Sequence, residues 1–169
     1  MDISNASNQL RTQGQAILQL AEGLSLEQAR WKPDEQSWSV LEVMSHLVDE
    51  EVLDFRRHLD HLLHTPTDPW PRIDPQGWVT AKRYNERQLD ANLAAFAAER
   101  EASLKWLDSL NDPNGGSATV MPWGSLGAGD MLASWLAHDL LHLRQLIELR
   151  YALTEEDSAP YSVEYAGGW

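Results

Sequence analysis

The chain has 169 residues, with 26 Asp and Glu against 13 Lys and Arg, a formal net charge of −13, six His, eight Trp and no Cys. That length is one domain's worth, 1–169, with a single core. The acidic excess, with no basic cluster longer than Arg56-Arg57, excludes binding that begins by neutralising phosphates, so neither nucleic acid nor an anionic membrane surface is an expected partner. The lack of cysteine excludes disulfides, zinc-thiolate sites and a cysteine nucleophile. Met1-Asp2-Ile3-Ser4-Asn5 has neither the basic flank nor the apolar run of a signal peptide, and no apolar stretch approaches membrane-spanning length. A soluble cytoplasmic protein is expected.

Four segments with helical periodicity follow one another, and no run alternates long enough for a buried strand, which predicts an all-α fold. The first helix covers about 4–24, with Leu10, Gly14, Ile17, Ala21 and Leu24 on one stripe. After Trp31-Lys32-Pro33, the run Ser39-Val40-Leu41-Glu42 reads as a capping box that starts a second helix over 39–64. Its stripe is Leu41, Met44, Val48, Val52, Phe55, Leu59 and Leu62. Residues 65–78 hold Pro66, Pro69, Pro71 and Pro75 with Trp70 and Trp78, a packed loop too rich in proline for helix. The third helix covers 80–110 through Leu89, Leu93, Phe96, Arg100, Ser103, Leu107 and Leu110, and Asn111-Asp112-Pro113 ends it. A second loop passes Pro122-Trp123-Gly124 to a fourth helix over 128–151. The tail 154–169 has no period, and its Tyr161, Tyr165 and Trp169 are expected to pack down over the mouth of any pocket. Trp31, Trp38, Trp123 and Trp135 read as core and loop plugs.

The chemistry concentrates in the fourth helix. His138 and His142 lie about 40° apart on one face, with Met131, Trp135, Gln145, Leu146 and Leu149, while Asp130, Arg144 and Glu148 fall to one side and Asp139 and Arg150 to the other. Two neutral imidazoles at i and i+4 can chelate one divalent ion, or they can be hydrogen-bonded core histidines. A third ligand would come from another helix. His46 stands about 10 Å along the second helix from its Ser39 cap, and the pair about 15 Å along the fourth; in an up-and-down bundle those helices run parallel and the depths agree within a turn. The alternative for His46 is a pairing with Glu50 at i+4. His58, His61 and His64 drift around the helix too far from His46 to join it, and are expected to be solvated. Arg100 on the third stripe is a snorkelling or ion-paired residue in one reading, and an anion anchor beside a metal in the other.

These motifs resemble the DinB-like superfamily of four-helix-bundle metalloenzymes, related to thiol-dependent S-transferases and mycothiol-dependent maleylpyruvate isomerases. The resemblance covers about residues 5–150. It is carried by Trp31-Lys32-Pro33 with Trp38-Ser39-Val40-Leu41-Glu42-Val43-Met44-Ser45-His46-Leu47, and by His138, His142 and Gln145 in the last helix. It implies an up-and-down bundle, a divalent metal, Zn or Ni, on His46, His138 and His142, and frequent homodimers. A second apolar stripe on the fourth helix, Leu132, Leu136, Leu140, Leu143 and Ile147, fits such pairing. The implied activity is transfer of a low-molecular-weight thiol, such as bacillithiol or mycothiol, to an electrophile. Glu50 and Gln145 then contact the ligands or substrate. The alternatives are a hydrolase using bound hydroxide and a non-enzymatic stress-response protein in which metal stabilises the bundle. With no Cys in the chain, any thiol comes from a small molecule.

Overall fold

The computed structural model of the protein describes residues 1–168. Helix α1 (Ile3–Ala21) starts on Asp2, whose carboxylate accepts from Asn5 N–H, and a short α2 (Leu26–Arg30) follows. The capping box at Ser39 forms as expected: Ser39 Oγ accepts from Glu42 N–H at 3.1 Å and Glu42 Oε2 accepts from Ser39 N–H at 2.9 Å. From it run α3 (Val40–Glu50), a π-helical turn (Glu51–Phe55) and α4 (Arg56–His64), continuous as one long helix. Then come α5 (Pro75–Ala81), α6 (Leu89–Ser109), the strands β1 (Ala118–Met121) and β2 (Gly124–Gly127), and α7 (Ala128–Ser158).

The four long helices form a bundle, but not in up-and-down order. Ser7 of α1 bonds Asp108 of α6 and Leu10 O accepts from Arg100, so α1 and α6 are antiparallel. Ser45 meets Asn92 and Arg56 meets Ser103, so α3 and α4 run parallel to α6. His46 meets His142 while Phe55 stacks on Trp135, so they run antiparallel to α7. The order is therefore up, down, down, up, with α1 packed chiefly on α6 and α7. Parallel neighbours explain the long crossing after His64: the chain must travel back the length of α3 and α4, about 37 Å at 1.5 Å per residue, before α6 can begin.

That crossing is not only loop. Asp74 caps α5 by accepting from Gly77 N–H, with Pro75 at the first helical position, and Arg83 in the left-handed region (φ 51°) breaks the chain before α6. The third bundle helix thus starts at Leu89, not near 80. The second loop folds into an antiparallel hairpin, Ala118 opposite Gly127 and Met121 opposite Gly124, which corrects the all-α expectation. Its four-residue strands are too short and too exposed to leave an alternating pattern; Val120 is 89% and Trp123 75% exposed, so Trp123 plugs nothing. The last helix runs to Ser158, seven residues past the expected end. Tyr161 and Tyr165 beyond it are fully in solvent and do not cover a pocket, and Trp169 lies outside the described residues.

The interior has two large apolar clusters with a polar layer between them, and a smaller third one around Ala29, Leu41 and Leu89. One end gathers Leu10, Leu59, Leu107 and Trp135, the other Ile17, Met44, Phe96 and Leu146. Between them Arg100 is buried and bound to two carboxylates, Glu51 at 2.8 and 3.0 Å and Asp139 at 2.6 and 3.0 Å, while its Nη1 also donates to Leu10 O at 2.7 Å. One side chain thus ties all four bundle helices. Gly14 makes room for it, since a Cβ there would stand 3.2 Å from Arg100 Cγ. Glu51 takes the inward position expected of Val52, which is only half-buried, and Asp139 is buried, not on a charged flank. The cause is the guanidinium that both residues face.

Candidate metal centre

The capping box sets where α3 starts and so sets the height of His46, seven residues on; α7 supplies His138 and His142 one turn apart. The three imidazoles converge. His138 Nε2 is 3.4 Å from His46 Nε2 and 3.1 Å from His142 Nε2. His142 Nδ1 donates to Gln145 Oε1 at 2.8 Å, so in the neutral ring this contact leaves the lone pair on Nε2, the atom aimed at its partners. Trp38 lies edge-on to His46 at 5.0 Å between ring centres, and Phe55 packs on His138 at 4.8 Å.

The electrostatics keep the rings neutral. Burial, with the neighbouring His142, holds the His46 pKa at about 3; burial, with His142 and His46, does the same at His138. Burial also lowers His142, against the hydrogen bond to Gln145, which raises it. Because unfolded imidazoles titrate near 6.5, these groups contribute stability that is present above about pH 6.5 and is lost at lower pH, for His46 and His138 as pH falls toward 3. Glu50 acts with the opposite sign. Burial, then Asp54 and Asp49, raises its carboxyl to about 9, so its contribution is lost as pH rises from about 4.5. In metal-free protein the ¹⁵N resonances of His46 and His138 are expected to stay those of neutral imidazole at pH 5. Midpoints near 6.5 would contradict this placement.

A divalent ion fits this set. An ion about 2.0–2.1 Å from each nitrogen places tetrahedral ligands about 3.3–3.4 Å apart and right-angled ones about 2.9 Å apart, which brackets the two separations from His138 Nε2. Three neutral imidazoles can share protons at these Nε2 atoms only pairwise, whereas a cation would satisfy three Nε2 lone pairs at once. Nearby, His46 Nδ1 and Glu50 Oε1 are buried, 3.8 Å apart, too far for a hydrogen bond, and neither has a hydrogen-bond partner. His46, His138 and His142 form the one group of three potential ligands found close together among the described residues. The site opens into a cleft of about 700 Å³ whose walls include Trp38, Gln76, Gln145 and Glu148. One side of the triad thus faces space, as a reactive metal site requires.

The other predicted residues divide. Glu50 and Gln145 adjoin the triad. Arg100 does not line the cleft; its donors are taken by Glu51, Asp139 and Leu10 O, so it is the buried ion pair and not an anion anchor. His58, His61 and His64 stay outside the triad, yet only His64 is solvated. His58 is buried between Asp54 Oδ1 at 2.7 Å and Pro71 O at 2.8 Å and stacks on Trp70 at 4.2 Å, and His61 is buried against the same indole. The crossing segment folds back over α4 and covers them. Sequence reasoning passed over Gln76 and Glu148 as wall residues; the Asp74-Pro75 helix start was the available signal for the first, and its position three residues after Gln145 for the second.

The sequence model of a family described as the DinB superfamily matches residues 9–146. The solved structure of YfiT from Bacillus subtilis, described as a probable metal-dependent hydrolase with an unusual four-helix bundle topology, is similar with a TM-score of 0.77 at 18% identity, over 90% of this chain and 87% of that one. At that identity the likeness is one of fold. No curated protein matches.

Proposed function

Starting from the fact that the chain belongs to the DinB superfamily, we propose that it is a cytoplasmic metal-dependent enzyme that activates a low-molecular-weight thiol for transfer to an electrophile. The observation that carries the reading is the convergence of three neutral Nε2 atoms at the floor of an open cleft. His46, His138 and His142 would hold Zn or Ni, imidazole suiting both. A bound divalent ion supplies Lewis acidity, lowering the pKa of a thiol or water that reaches it.

The chain's own groups do the rest. Gln145 fixes the His142 ring through Nδ1, which keeps Nε2 aimed inward. Trp38 and Phe55 wall the imidazoles from water on two sides. Glu50, held in its protonated form by burial, would serve as the acid that gives its proton to the departing group as sulfur bonds to the electrophilic carbon, the thiol's own proton having passed to solvent on binding. No described helix is long and apolar enough to cross a membrane, in keeping with a small-molecule substrate arriving from solution.

A second reading, hydrolysis by the same site, is favoured by the description of YfiT. Consumption of a generic electrophile by metal-loaded protein, with and without thiol, separates the two. Turnover that requires thiol supports transfer, and equal ester or amide cleavage without thiol overturns it in favour of hydrolysis. The proposal includes a homodimer through α7, because Leu140 and Ile147 stand about half exposed on a face turned from the site. Sedimentation should show twice the single-chain mass, and Leu140→Glu should halve it; a monomer at micromolar concentration overturns this part.

A further inference from the structure

One wall of the cleft is held differently from the others. Pro75 and Gln76 line it from α5, and α5 belongs to a strap, residues 72–81, in which no residue is buried. The strap's hydrogen bonds stay within itself and the two residues that follow: Asp74 caps the helix, and the N–H groups of Lys82 and Arg83 close its last turn. Among the described residues no hydrogen bond or ion pair joins 72–81 to the bundle. A helix of seven residues with a glycine at its third position is not stable by itself. It rests on α3, and its largest apolar side chains, Trp78 and Val79, are only half-buried.

Both ends of the strap, in contrast, are clasped to the long helix that carries His46. At the first, buried His58 meets Pro71 O at 2.8 Å through Nε2 and Asp54 Oδ1 at 2.7 Å through Nδ1, and its ring stacks on Trp70. At the second, Asp49 holds Lys82 Nζ at 3.1 Å and accepts from the hydroxyl of fully buried Tyr84. Arg83, in the left-handed region at φ 51°, turns the chain from α5 into that clasp. A segment with few buried contacts between fixed ends opens and closes at low cost, and active-site lids are drawn from such segments.

Resting on the metal reading above, we propose that residues 72–81 form a lid that closes over the triad when a ligand occupies the cleft, and that Gln76 is the residue it brings onto that ligand. The Gln76 side chain lines the cleft and bonds no protein group among the described residues, so its amide donors and acceptor are free for a bound molecule. The clasps fix where the lid lands, since Asp49 and Asp54 bracket Glu50 on the helix they share with His46. Closure would exclude water from the reacting groups, whether the site transfers a thiol or hydrolyses.

The test is hydrogen exchange of the whole protein loaded with Co(II), with and without benzohydroxamate, a metal-binding probe whose ring reaches past the ion into the cleft. The visible Co(II) spectrum reports metal and probe binding independently of the lid, so no turnover is needed. Without probe, the amides of 77–82 should exchange at least about a hundredfold faster than those of α6, because they open while the bundle stays closed. The probe should slow them at least about tenfold and leave α6 unchanged within about twofold. Gln76→Ala should cut that slowing at least about threefold while the probe still alters the spectrum. A strap that exchanges as slowly as α6, or one that the bound probe does not slow, overturns this inference alone, and undiminished slowing in Gln76→Ala overturns the role of that residue. A Co(II) spectrum that millimolar probe never alters also overturns the inference, since the cleft then leads no ligand to the metal. A protein that gives no protein-bound Co(II) spectrum overturns the metal reading and this inference with it.

Discussion

Replacing His142 by Ala is expected to lower the metal content of protein purified without an affinity tag from about one divalent ion per chain to less than about a tenth. The ring supplies one of three converging nitrogens, and it is the one whose tautomer is set, by Nδ1 donating to Gln145 at 2.8 Å. Loss of a partner outside the ligand set commonly costs about 10–100-fold in metal affinity, and loss of a ligand costs more. His142 borders the cleft, so the truncated side chain leaves solvent-accessible space and the helical fold should survive, as circular dichroism would verify. Added metal should raise the melting temperature of the unaltered protein, because an ion that binds only the folded state stabilises it, and should leave the variant's unchanged. A variant that retains its metal would contradict the assignment.

The second large effect is structural. Arg100→Met should destabilise the protein by about 3–5 kcal/mol, because it strands two buried carboxylates, Glu51 and Asp139, that now share one guanidinium. For a chain of this size that is a fall of roughly 6–20 °C in melting temperature. Burial already raises the pKa of both acids, though Arg100 opposes it, and burial works against the guanidinium charge while Glu51 and Asp139 overcome it and raise its pKa. Without Arg100 both acids would hold protons more tightly in the folded than in the unfolded chain. The variant should therefore regain stability as pH drops from 8 to 5. Replacing all three groups together, Glu51→Met with Arg100→Leu and Asp139→Leu, should restore most of the loss, since an apolar layer needs no pairing. A fall of under 3 °C for Arg100→Met would show that the layer is not the tie it looks to be.

The two features differ in how far the chain reveals them. The cap at Ser39 and the stripes Leu10/Gly14/Ile17/Ala21 and Phe96/Arg100/Ser103/Leu107 are local, repeat at helical spacing, and reappear in the structure as buried faces. The histidines at 138 and 142 are likewise one turn apart by chain geometry alone. His46 joins them, but not for the depth agreement of parallel helices: α3 and α7 are antiparallel, and the residues meet because α7 runs on to Ser158, past the start of α3 and alongside α2, where Gln28 bonds Asp157. Packing direction is a property of the long crossing, and nothing local in residues 65–88 encodes it. The polar layer is hidden for a related reason. Glu51, Arg100 and Asp139 come from three separate helices, so each looks like a lone charge on its own segment, and only their assembly makes burial tolerable. The hairpin and α5 are short, and four to seven residues hold too little periodicity to stand out.

An anomalous difference map from crystals of tag-free protein, collected on both sides of the absorption edges of zinc and nickel, tests the centre most directly. The account predicts one strong peak bounded by the Nε2 atoms of His46, His138 and His142, about 2.0–2.2 Å from each, with its open side toward Trp38 and Gln145. Metal-loaded crystals with no peak among the three imidazoles, or with their only peak elsewhere, would contradict it.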